Sequence, residues 1–169
     1  MAPLHEVRST PRTTVLALDL GQATGWALRS AHGFITSGTQ TFRPGRFEGG
    51  GMSLLRFTAW LKELHECAGP LHQVFFEEVR AHKGTAAAHA YGAFLGQLSA
   101  WCEAQAIPYQ GVPVATIKKH ITGRGNANKA LVIAAIRSRG FVPADDNEAD
   151  ALALLHWALA QPSRGGAHD

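Results

Sequence analysis

The apolar positions of the chain change their period part-way along, and the change divides it into a strand-rich first part and a helix-rich second part. Thr13 to Leu20 is apolar without alternation through Val15-Leu16-Ala17-Leu18, the pattern of a strand buried on both faces. The segment Gly21 to Gly25 reads as a turn leading to a short strand at Trp26 to Leu28. After Ala31-His32-Gly33 comes Phe34 to Phe42, rich in Thr, Ile and Phe. Three successive strands joined by short turns predict an antiparallel meander.

Beyond the loop Arg43 to Gly51, the residues Met52, Leu54, Leu55, Phe57, Leu61 and Leu64 recur at helical spacing until Gly69-Pro70 ends the run. A strand at His72 to Glu77 follows, then an Ala-rich helix from Thr85 to Gln105 and a short strand from Tyr109 to Val112. Two or three more helices reach Ala160. Strands separated by helices predict parallel pairing in this half. The expected class is α/β, with a five-stranded mixed sheet of an antiparallel three-strand meander plus two parallel strands, flanked by helices. The 169 residues fit one domain, placed at 13–160, between a polar arm (1–12) and a polar tail (161–169), both read as flexible.

Composition sharpens this only slightly. The apolar fraction of 46% supports a substantial core, and the net charge of +3 hints at a polyanionic partner. Cys67 and Cys102 form neither a disulfide framework nor a zinc motif. No signal-peptide core is visible, and nothing approaches the roughly 18 apolar residues of a membrane span. A soluble, cytoplasmic protein without a membrane partner is expected.

The distribution of charge is more informative. Between Ala104 and Ala144 there is no Asp or Glu, whereas Lys118, Lys119, Arg124, Lys129, Arg137 and Arg139 all fall there around the glycine-polar loop TGRGNAN. Such a loop either presents N–H groups and lysines to phosphates or forms part of a solvated helix face. Immediately afterwards Asp145, Asp146, Glu148 and Asp150 cluster. Asp145, Asp146 and Asn147 suit a helix N-terminus, while Asp150 sits within the first turns of an apolar helix. Asp19 and Glu77 each end an apolar strand, and sheets of this type gather strand ends at one edge. Carboxylates held together repel one another unless a cation or a raised pKa relieves them.

Oxygen-only clusters select hard cations, Mg2+ or Mn2+, which also bind phosphate oxygens. Two such ions about 4 Å apart activate a water and stabilise the leaving oxygen in phosphodiester hydrolysis. With the acid-free basic stretch, that chemistry points to nucleic acid. No GxSxG, HExxH, CxxC or GxxxxGK[ST] supports a serine hydrolase, zincin, zinc ribbon or P-loop enzyme.

ALDLGQATGWAL, VFFEEV and NEADALAL, in this order and spacing, are similar to motifs of the RuvC family of Holliday-junction resolvases, members of the RNase H-like superfamily. The resemblance covers most of the folded chain and implies an RNase H-like fold with Asp19, Glu77 and Asp150 as catalytic metal ligands. It implies two Mg2+ or Mn2+ ions per site and cleavage of Holliday junctions or other branched DNA by a homodimer, with the Thr85–Gln105 helix contributing to the dimer. Lys118 and Lys129 match the lysines expected before the last helix; Lys119 and Arg124 extend that basic DNA-binding surface. Asn147 stands where the family commonly carries Asp or His, which leaves Asp146 or Glu148 to complete the site or a second metal held more weakly. The loop after Glu77 lacks the aromatic of some resolvases, so Arg80, His82 and Lys83 would contact phosphates or bases through charge.

Two other classes share some of these features. The DLGQATG segment stands close to the DxGxxxxG phosphate loop of the sugar kinase, actin and chaperone ATPase superfamily, whose members enclose ATP between two domains. A catalytically weak or idle DNA-binding protein with the RNase H-like fold is the other, favoured by Asn147.

Overall fold

A computed structural model of the chain describes residues 13–81 and 84–162. The arm at 1–12, most of the tail, His82 and Lys83 lie outside the described residues. Within them the order is β1 (Val15–Asp19), β2 (Ala23–Arg29), β3 (Ile35–Thr41), α1 (Gly51–Cys67), β4 (Gln73–Glu78), α2 (Thr85–Ala104), β5 (Tyr109–Pro113), α3 (Val114–Thr122), α4 (Lys129–Arg137) and α5 (Asp146–Ala160). The sheet runs β3-β2-β1-β4-β5. β1 pairs antiparallel with β2 and parallel with β4; β2–β3 is antiparallel and β4–β5 parallel. This is the mixed sheet expected from the alternation of short turns and helical crossovers.

β1 is central because its residues are apolar on both faces. Leu16 and Leu18 enter one core with Phe57 and Leu61 of α1 and Phe94 and Leu98 of α2. Val15 and Ala17 enter the other, with Ile117 of α3, Val132 and Ile136 of α4, and Ala151 to Leu155 of α5. Helices therefore cover both faces, and five successive residues of α5 are buried. Burial of each large aliphatic side chain contributes about 1.5–3 kcal/mol.

One local expectation needs correction. The turn between β1 and β2 is shorter than Gly21 to Gly25, because β2 already begins at Ala23 and Gly25 pairs with Asp19 inside the ladder. Thr24 Oγ1 donates to the Gly21 carbonyl at 2.6 Å and fixes this tight reversal. The TGRGNAN loop also has a local structural explanation. Gly123 ends α3 in the left-handed region (φ 81°), and Asn128 caps α4 by accepting from the Leu131 N–H at 3.0 Å. Among the described residues, no helix is long and apolar enough to cross a membrane.

Candidate active site

Strand parity places the first two carboxylates. Successive side chains alternate across a sheet, so Asp19 shares a face with Val15 and Ala17, and Glu77 shares one with Phe75. In the parallel register Ala17 pairs with Phe75, so both acids emerge at the carboxyl edge on the face that α5 covers. Asp150 comes from the second turn of α5. Oxygen atoms of Asp19, Glu77 and Asp150 lie within 4.8 Å of one another. Glu78, next along β4, takes the opposite face: its Cβ lies against Gly111, and Arg80 approaches its carboxylate at 3.6 Å.

Three features set α5 over the sheet. Gly25 is the closest contact: a Cβ there would stand 1.9 Å from the Asn147 carbonyl oxygen and 2.3 Å from its carbon. Only glycine lets the first turn of α5 lie against β2 beside Asp19. The second is a polar latch from β3. Thr39 Oγ1 donates to Asp145 Oδ1 and Ser37 Oγ donates to Glu148 Oε1, each at 2.7 Å. The third is a local cap: Asp145 accepts from the Glu148 N–H at 2.9 Å, and Glu148 accepts from the Ala144 N–H at 2.7 Å, a variant of the capping box. On β4, the Tyr91 hydroxyl of α2 donates to the Glu77 carbonyl at 2.9 Å and steadies the end of the strand.

The electrostatics follow from burial and crowding. Asp19 is pushed up to about 9, first by burial, then by the charges of Glu77 and Asp150, a hydrogen bond with Glu77 and the charge of Asp146. Asp150 rises to about 7, through burial first and then Glu77. Burial also raises Glu77, against which its hydrogen bond with Asp19 and the charges of Lys118 and Lys129 act. A hydrogen bond between two carboxyl groups requires a proton on one of them. A divalent cation removes that requirement, and an all-oxygen, partly buried donor set fits Mg2+ or Mn2+.

The other sequence-predicted residues divide into rim and periphery. Asp146 lies outside the three-carboxylate cluster and forms an ion pair with Lys129, which lowers its pKa. Asn147 turns its backbone carbonyl to Gly25. Glu148, one of the acids considered in place of Asn147, is 8% exposed and engaged by Ser37 and Ala144. Lys118 is half-buried and acts on both Glu77 and Asp150; Lys119 and Arg124 are exposed on α3 and the loop after it. Arg80 is exposed beyond β4, and Lys83 falls outside the described residues. Sequence reasoning missed Ser37, Thr39 and Tyr91 as supports. The alternation of Ser37 and Thr39 on one face of β3 was the available signal.

No protein-family model and no curated protein matches the sequence. Solved structures do. RuvC from Thermus thermophilus, in complex with Holliday junction substrate, superposes with a TM-score of 0.69 at 22% identity, over 85% of this chain and 90% of that one. A second structure of the same RuvC gives 0.65 at 22% identity, over 84% of this chain and 90% of that one. The yeast mitochondrial Holliday junction resolvase Ydc2 gives 0.58 at 14% identity, over 88% and 78%. The five-stranded mixed sheet, its order and its helices are thus those of the RuvC, RNase H-like fold.

Proposed function

We propose that the protein is a divalent-metal-dependent endonuclease that hydrolyses phosphodiesters in branched DNA, Holliday junctions among them. The observation that carries this reading is the convergence of Asp19, Glu77 and Asp150 within 4.8 Å at the carboxyl edge of the sheet. Asp19, Glu77 and Asp150 are the residues that would hold Mg2+ or Mn2+. Bound there, the metal supplies Lewis-acid stabilisation of charge on phosphate oxygens and a more acidic water. In the hydrolysis a water oxygen bonds to phosphorus as the bond to the leaving sugar oxygen breaks, giving a phosphate monoester and a hydroxyl.

The chain's own groups have separate tasks. The carboxylates would hold the cation and accept the proton lost by water; Lys118, close enough to influence two of them, would attract the scissile phosphate. Lys129 restrains Asp146 at the rim. Lys119, Arg124 and Arg80, all exposed, would contact phosphates further along the backbone, and Lys83 would share that role.

The site serves one phosphodiester, so two symmetric cuts call for two copies. α2 buries Phe94 and Leu98 towards the sheet, whereas Gly92, Ala93, Gly96 and Ala100 form an exposed, close-approach surface. This supports a homodimer through α2. The decisive assay combines Mg2+ or Mn2+ titrations with four-way, flapped, forked and duplex DNA. Metal-dependent cleavage of branched DNA that Asp19→Ala abolishes while binding survives is the expected result; absence of cleavage on every substrate overturns the nuclease reading.

A further inference from the structure

The β3–α1 loop carries the most exposed large apolar side chain among the described residues. Phe47 is 92% exposed, and the guanidinium of Arg46 lies 5.4 Å from its ring centroid. Single exposed aromatics are common and by themselves mean little. Three further observations separate this one from the ordinary case.

The first is location. β3 runs antiparallel to β2, which runs antiparallel to β1, so the carboxyl end of β3 lies at the same sheet edge as Asp19. Thr41 pairs with Ala23, and the Phe42 N–H donates to the Gln22 carbonyl in the turn that follows Asp19. The loop therefore leaves the sheet on the catalytic edge, on the side opposite β4 and Arg80.

The second is that the loop is built. Arg56 of α1 makes a two-pronged pair with Glu48, with both N···O distances at 2.7 Å, and donates to the Arg43 carbonyl at 3.3 Å. Glu48 also accepts from the Gly45 N–H at 2.6 Å. These bonds tie the segment between Arg43 and Glu48 back to α1, and Phe47 is left exposed to solvent.

The third is charge. Arg56 neutralises Glu48, while Arg43 and Arg46 form no ion pair among the described residues. An exposed aromatic with two unpaired cations in its loop, at the sheet edge that carries the carboxylates, has the chemistry of a stacking platform for unpaired bases with phosphate contacts alongside.

We propose that Phe47 stacks on, or wedges beside, bases opened at the branch of the DNA substrate, with Arg43 and Arg46 holding the adjoining phosphates. This rests on the nuclease reading and adds the element that separates branched from plain duplex DNA. It assigns to the β3–α1 loop the aromatic contact that the segment after Glu77 does not supply.

The test uses the full chain and a four-way junction carrying 2-aminopurine beside the branch, with binding followed in EDTA and cleavage in Mg2+. Phe47→Ala is expected to weaken junction binding about tenfold and abolish the 2-aminopurine fluorescence change. Its duplex affinity and the salt dependence of binding stay at wild-type values, and its thermal melting is unchanged. Phe47→Trp restores junction binding, and Arg46→Ala reduces the salt slope by about one. Junction binding and fluorescence by Phe47→Ala equal to wild type overturn the proposal, as does an equal loss on duplex and junction. Wild-type protein that cleaves junctions while Phe47→Ala cleaves them equally well removes only the role of Phe47. Wild-type protein that neither prefers junctions nor cleaves them removes the nuclease reading as well.

Discussion

Removing one charge from the carboxylate cluster should stabilise the metal-free protein while destroying its response to metal. Asp19 has its pKa moved from 3.8 to about 9 by burial and by its neighbours. A carboxyl group with a folded-state pKa above its unfolded value gives stability that is full below the unfolded value and is lost as pH rises towards the folded one. Metal-free protein should therefore lose stability between about pH 4 and pH 9, the reverse of ordinary acid denaturation. At about pH 7.5 the shift corresponds to a ceiling of about 5 kcal/mol against folding. Asp19→Asn recovers only part of it, because the amide is still a buried polar group and Glu77 still faces Asp150. A gain of about 2 kcal/mol is expected, which for a domain of this size is about 4–8 °C in Tm. Thermal melts in EDTA and in Mg2+ across that pH range read both effects. In wild type, Mg2+ should raise Tm most at high pH, where the carboxylates are least protonated; in Asp19→Asn the EDTA melt should be higher and the Mg2+ increment small. A lower EDTA melt for Asp19→Asn, or an equal Mg2+ increment in both proteins, would refute the reasoning.

Other parts of the site make separate predictions. Gly25→Ala drives a Cβ into the Asn147 backbone at 1.9 Å and should lower stability by about 3 kcal/mol with loss of cleavage, whereas at Gly21 a Cβ meets only the Ala23 oxygen at 3.7 Å and should be tolerated within about 0.5 kcal/mol; paired melts check this. Thr39→Val removes the 2.7 Å bond to Asp145 and should cost about 1–2 kcal/mol in denaturant titrations, with kcat reduced more than KM because Asp150 loses its support rather than the DNA its contacts. The proposed pairing through α2 predicts that Gly96→Glu, on its exposed face, halves the mass measured by light scattering and leaves the fold, read by circular dichroism, intact.

Most of the architecture was legible because each element had a strong local period. The uninterrupted VLAL of β1 could only be a central strand, and the Met52–Leu64 spacing had only a helical solution. What failed was Gly25. A glycine after GQAT is locally indistinguishable from the end of a turn, and its actual reason is a contact with Asn147, more than a hundred residues away. Phe47 was equally illegible. Nothing in RPGRFEGGG separates a buried from an exposed phenylalanine until Arg56 is seen to hold the loop.

The acids of the last motif show how far charge clustering can carry an argument. Four carboxylates fall within six residues, and Asp150, the one that the sequence sets apart from the helix N-terminus, is the one that enters the cluster with Asp19 and Glu77. Asp145 and Glu148 are used by the cap and by Thr39 and Ser37, and Asp146 by Lys129. Helical phase explains the division. Asp145, Asp146 and Glu148 lie at or before the first turn, where free N–H groups and the positive end of the helix favour negative charge without any metal. Asp150 is one turn further in, past the free N–H groups, so its burial beside two other acids has no such local compensation. The residue with the weakest local reason to be acidic is therefore the one that joins Asp19 and Glu77 in the cluster.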